Sequence, residues 1–144
     1  MRLPNDLSLL PYSDHQIPGV IFLSDYDFGI NGIAYNDDDY IDYSIDTGEY
    51  EPWNKGWNYR NDGVDIQSNN DNFNSNGYHI GYINDGEWMK YTVNIANSGF
   101  YDLSIRYASP AAGGELKLYL NESDISEPIS IYNSGGWSNF VNGY

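Results

Sequence analysis

The chain is predicted to be all-β, an antiparallel β-sandwich or jelly roll, and three observations predict it. Five short runs between residues 78 and 133 alternate apolar and polar positions and are bounded by turn residues. Aromatics make up 17% of the 144 residues, and Asn, Asp, Gly and Ser fill most of the remainder; the first group suits a pleated surface and the second suits turns. Helix formers are scarce. A chain of this length is large enough to bury a core as one domain without metal or disulfide staples.

In chain order, residues 1–18 carry Pro4, Pro11 and Pro18 and read as an extended lead-in, so the domain is placed at 19–144. It opens with "GVIFLSDYDFG" at 19–29, an apolar strand closed by Asp27 to Gly29. From Asn36 to Asn76 the chain is dense in Asp, Asn, Gly and Tyr, with one strand-like interval, "GVDIQ" at 63–67. Connections this long are functional or disordered, and the aromatics between Tyr35 and Tyr59 argue for order. "SNNDNFNSN" at 68–76 reads as a mobile loop.

The clearest strands are "YHIGYI" at 78–83, "EWMKYTVNI" at 87–95, "GFYDLSIRYAS" at 99–109, "GELKLYL" at 114–120 and "EPISIYN" at 127–133. In the second, Trp88, Lys90, Thr92 and Asn94 alternate with Met89, Tyr91, Val93 and Ile95; in the third, Tyr101, Leu103, Ile105 and Tyr107 share a face. Trp88, within an alternating strand, is expected in the core. Tyr82 falls mid-strand, as a ligand contact or a cap on the core.

Twenty-one acidic residues against six basic ones give a formal charge of −15, which repels phosphate backbones and anionic lipid surfaces. Nucleic acid and membrane are therefore not expected as partners. The chain has no cysteine, hence no disulfide and no thiolate metal site. No apolar run approaches membrane-spanning length, and the N-terminal stretch lacks the form of a signal peptide.

Enzyme signatures are weak. Asp85 and Glu87 in "INDGEW" are close in sequence but too loosely specified to name as a glycosidase acid and base. His15 lies in the lead-in and His79 at a strand start, with no nucleophile elbow. The consecutive carboxylates of "NDDDY" at 36–40 mostly point apart, whereas metal loops use alternating ligands, so a solvated turn is expected there.

Three stretches carry a family resemblance: "DYDFGINGIAYND" at 25–37, the run from Gly77 to Leu120, and "NSGGW" at 133–137. With "YRNDGVDI" at 59–66, they resemble family 6 carbohydrate-binding modules, the β-sandwich domains appended to polysaccharide-degrading enzymes. The resemblance implies an extracellular, non-catalytic domain that binds a polysaccharide or oligosaccharide and targets a linked glycoside hydrolase domain. It implies a glycan site in the loops at one end, where a sugar ring lies between aromatics of the "GYI" and "GGW" segments. Tyr82 and Trp137 hold those positions, and the loop "AYND" supplies Asn36 to the hydroxyls, assisted by Tyr35 or Asp38.

The physics is compatible: a pyranose offers an apolar C–H face to a ring and a rim of hydroxyls to fixed donors and acceptors. Trp137, between glycines and small polar residues, is expected as an exposed platform. Trp53 and Trp57 are candidates for a binding wall, and Tyr59 and Arg60 for ordering the long loop.

The chain departs from the resemblance twice. The family's first strand carries an acidic pair that helps bind a structural calcium, and Phe22 and Ser24 stand in its place here; no other cofactor is expected. Family members also continue well beyond "GGW", so the sandwich is expected to lack its last strands, and exposed strand edges invite weak dimerisation. Two rival readings remain, a β-sandwich glycoside hydrolase fragment and a structural or adhesive sandwich making protein contacts.

Overall fold

A computed structural model describes residues 9–41, 59, 60 and 62–144. Trp53 and Trp57 lie outside them. Among the described residues the fold is all-β, as expected, with one 3-10 turn at Leu23–Asp25 and no helix long and apolar enough to cross a membrane. The chain forms two compact units, Met1–Ser98 and Gly99–Tyr144.

The first unit contains β1 (His15–Ile17), β2 (Tyr35–Asn36), β3 (Ile66–Ser68), β4 (Tyr78–Ile80), β5 (Trp88–Met89) and β6 (Val93–Ile95). β2 pairs with β5 and β3 with β4, both antiparallel, while β1 runs parallel to β6 with His15 opposite Val93. β1 thus falls within the stretch expected as lead-in. The core is Tyr26, Ala34, Tyr35, Val64 and Ile66, with Tyr59, Tyr78, Ile80, Met89 and Tyr91 packed against it.

The second unit contains β7 (Ile105–Tyr107), β8 (Glu115–Leu116), β9 (Tyr119–Leu120), β10 (Ser123–Asp124), β11 (Ile129–Ser130) and β12 (Val141–Gly143). Its three pairs, β7 with β12, β8 with β11 and β9 with β10, are antiparallel. β9 and β10 are joined by Asn121 and Glu122, both at positive φ, the backbone a two-residue hairpin needs to match strand twist. Ile129 is the buried apolar residue here, opposite Leu116.

Two expectations are corrected. Residues 19–29 do not form a strand: Asp25 N donates to Phe22 O, closing the 3-10 turn, and Ser24, Asp25 and Asp27 are buried with their side chains engaged elsewhere. Asp27, for instance, accepts from Thr92 N at 2.9 Å and Thr92 Oγ1 at 2.7 Å. Polar side chains that bond to distant backbone compete with ladder formation.

The Asn-rich loop is a hydrogen-bonded connection between β3 and β4. Asn69 N donates to Gly77 O, and Asn69, Asp71, Ser75 and Asn76 each accept from a backbone N–H two residues on. Trp88, finally, is not a core residue but 38% exposed. It shares its strand face with Lys90, whose Nζ lies 4.9 Å from the indole centroid, while Met89 and Tyr91 on the other face pack against the core.

Candidate functional site

The strand β4 ends at Ile80, and Gly81 N is tied back to Asp65 O at 2.8 Å. The next residue, Tyr82, sits at φ +53°, in the left-handed region that a bulky side chain seldom occupies, and is 56% exposed. It is therefore a turn residue and not the mid-strand residue its alternation predicts. The chain then runs through Asn84 and Gly86 to β5, with Glu87 N donating to Asn84 O.

That segment is joined to the loop after β2. Asn36 Nδ2 donates to Gly86 O at 3.2 Å, and Asp38 N donates to Glu87 Oε1 at 3.2 Å. Asn36 is also the ladder partner of Trp88. The structure thus brings Asn36, Asp38, Glu87 and Trp88 together beside the segment that carries Tyr82. Trp88 is the residue sequence reasoning missed; the signal was available in its phase, since it shares a face with Lys90.

Tyr35 takes a different place. It is 3% exposed, packs edge-on against Tyr26 with centroids 5.4 Å apart, and donates its hydroxyl to Asp62 O at 2.7 Å. Burial and then the Asp62 carboxylate push its pKa up to about 12, so the phenol keeps its proton. It shapes the loop from within and presents no surface to a ligand.

Asp37, between the two polar candidates, is buried. Its carboxylate accepts from Asp39 N at 2.9 Å, and its own N–H donates to Asn31 Oδ1. Burial, and then the negative charge of Glu87, push its pKa up to about 6. Asp37, Asp38, Asp39 and Glu87 make the surroundings of Asn36 acidic, which disfavours anionic ligands. Among the described residues, no group of three or more His, Cys, Asp or Glu is placed to hold a metal ion.

Beneath this loop Arg60 is buried with its guanidinium over the rings of Tyr26, at 3.9 Å, and Tyr12, at 4.3 Å. It donates to Tyr26 O and Asp27 O and pairs with Asp62 at 3.1 Å. One residue thus ties the end of the long connection to the segment at 26–28.

In the second unit Trp137 is 75% exposed at the tip of a turn. Ser134 N donates to Ser109 O and Ser109 N to Ser134 Oγ, each at 2.8 Å, while Gly135 N bonds Asn133 Oδ1 and Asn139 N bonds Gly136 O. Gly135 has φ +98°, and a Cβ there would stand 3.0 Å from Asn139 Nδ2, so the turn needs glycine. The platform is built from side-chain and backbone bonds on both sides of the indole. An open cleft of about 370 Å³ between residues 11–14 and Thr92–Asn94 is lined by none of the five expected site residues.

Two comparisons bear on this arrangement. Residues 57–143, more than half of the chain, match the family described as carbohydrate binding module (family 6). The beta-agarase AgaA of Microbulbifer thermotolerans is 32% identical over 68 residues, which are 47% of this chain and 16% of the agarase.

Proposed function

The chain belongs to carbohydrate binding module family 6, a family of non-catalytic β-sandwich modules, and from that premise we propose that it binds a neutral polysaccharide and holds a linked glycoside hydrolase against it. The glycan proposed is an agarose-type galactan, on the strength of the likeness to a beta-agarase. A polysaccharide substrate of this kind is met outside the cell, and extracellular location is part of the proposal.

The observation that carries the reading is the presentation of Trp137, an apolar ring held out to solvent by a turn whose hydrogen bonds lie on both sides of it. Within the first unit, Tyr82 is exposed at a left-handed backbone position, and strained positions of this sort concentrate at ligand sites. In this reading Asn36 and Asp38 address the hydroxyls. The acidic surroundings favour a neutral glycan over a sulfated or uronate one.

Isothermal titration and affinity electrophoresis against agarose oligosaccharides, xylan, mixed-linkage β-glucan and laminarin test it, with Trp137→Ala alongside. We expect binding to the neutral galactan, lost by tenfold or more in the variant while its melting temperature is unchanged, about 1.4 kcal/mol of binding free energy. Retained affinity in the variant refutes the site, and release of reducing ends by the domain alone refutes the non-catalytic role.

A further inference from the structure

The resemblance implies a structural calcium at the segment where Phe22 and Ser24 replace the acidic pair, and the groups gathered there do not fit that ion. Calcium takes roughly six to eight oxygen ligands, several of them anionic. Around Ser24 and Asp25 the structure instead gathers protein donors. The side-chain nitrogen of Asn76 lies 2.8 Å from Ser24 Oγ, 3.1 Å from the Tyr59 hydroxyl and 3.2 Å from Asp25 Oδ1. Its orientation is set on the other side, where Asn76 Oδ1 accepts from Tyr78 N at 3.1 Å, so nitrogen and not oxygen faces the cluster.

Neighbouring oxygens are engaged as well. Tyr59 donates its hydroxyl to Asp25 Oδ1. Burial, followed by the hydrogen bond to Asp25, holds that phenol protonated well above the ordinary tyrosine range, so it acts as a donor and not as an anionic ligand. The backbone carbonyls that a cation would recruit are occupied too: Leu23 O accepts from the Tyr91 hydroxyl at 2.7 Å, and Asp25 O faces His15 Nε2 at 3.0 Å. Ser24 and Asp25 are both buried, which makes the partner of each polar atom energetically consequential.

We propose that the amide of Asn76 replaces the calcium ion, cross-linking the 3-10 turn, Tyr59 and the start of β4, so that this domain folds and works without calcium. A neutral N–H₂ group offers two protons, one of them shared, to the carboxylate and hydroxyl oxygens gathered there, where a divalent cation would need further anionic ligands. The single carboxylate in the cluster, Asp25, is matched to a donor set and not to a dication. The residue that does this comes from the Asn-rich loop, which explains why that loop is tied down by side-chain bonds at Asn69, Asp71 and Ser75.

The test reads stability, so its outcome is separate from the glycan assignment. Thermal unfolding of the full chain is followed in EDTA and in millimolar calcium, with terbium luminescence as a direct probe of ion binding. We expect the wild type to melt at the same temperature in both and terbium luminescence to stay unsaturated. An ion held at a hundred times its Kd would raise the melting temperature by roughly 5–10 °C, and such a rise overturns the proposal.

Asn76→Asp exchanges the donor for a second carboxylate beside Asp25. We expect it to melt several degrees lower in EDTA and to recover part of that loss in calcium; melting at the wild-type temperature in EDTA contradicts the role of the amide. Should that variant fail to fold, Tyr59→Phe, which removes one bond to Asp25 and one to Asn76, is expected to melt lower with no calcium response, and an unchanged melting temperature counts against the cluster.

Discussion

Asn36 and Trp88 stand directly opposite one another in the antiparallel pair β2–β5, which places an amide and a half-exposed indole on the same face of adjoining strands. Lys90 completes the row with its ammonium 4.9 Å from the indole centroid. An aromatic face flanked by hydrogen-bonding groups is the composition a sugar requires, and here it arises from strand pairing alone. Replacing Trp88 by Ala is therefore expected to weaken glycan binding several-fold while lowering stability by less than about 1 kcal/mol, because the ring packs outside the core. Titration calorimetry with parallel urea unfolding checks both; unaltered affinity removes Trp88 from the site.

Tyr82 holds a backbone conformation that Asn adopts more readily than an aromatic residue. In Tyr82→Asn the left-handed position is kept and the ring is lost. The expected outcome is a melting temperature equal to or above that of the wild type, with glycan affinity reduced at least tenfold, about 1.4 kcal/mol. A variant that melts lower and binds as before would show that the ring serves packing.

Arg60 joins six groups at once: the aromatic faces of Tyr12, Tyr26 and Phe28, two backbone carbonyls and the Asp62 carboxylate. Lysine retains the charge but not the planar fork, so Arg60→Lys is expected to cost about 2 kcal/mol of unfolding free energy. Arg60→Ala leaves Asp62 without its cation and is expected to cost about 3–5 kcal/mol. Urea unfolding at neutral pH measures both, and equal stability of the lysine variant and the wild type would contradict the fork.

Asp37 binds its proton more tightly in the folded chain than in the unfolded one, since burial and Glu87 raise its pKa from the usual carboxylate range to about 6. Its contribution to stability is therefore greatest at low pH and declines as pH rises through the window between about 4 and 6. Asp37→Asn keeps an acceptor for Asp39 N but cannot titrate, so the difference in unfolding free energy between about pH 4.5 and pH 7.5 should be smaller in the variant. Identical pH profiles for the two proteins would remove Asp37 as the source.

The alternation of residues 87–95 correctly separated Met89 and Tyr91, which face the core, from Trp88 and Lys90, which do not. Assigning Trp88 to the interior gave its size more weight than its phase. Trp137 was legible because glycines and short polar residues around one indole leave nothing nearby to cover it. Tyr82 was legible as a candidate but not as a turn, since nothing in "YHIGYI" signals a left-handed residue.

Period-two patterning and turn chemistry act over a few residues, and from them the amino-acid sequence by itself determined the all-β class, the division of the strand around Trp88 into two faces, and the exposed Trp137 turn. Tertiary structure alone decided what becomes of the buried polar groups. Asp27 is satisfied by Thr92, 65 positions away, Ser24 by Asn76, 52 away, and Tyr35 by Asp62, 27 away. The partners of Ser24 and Asp27 hold residues 19–29 in a turn and out of a strand, because a buried hydrogen-bonding group must be paired somewhere and the place of its partner is set by the path of the chain.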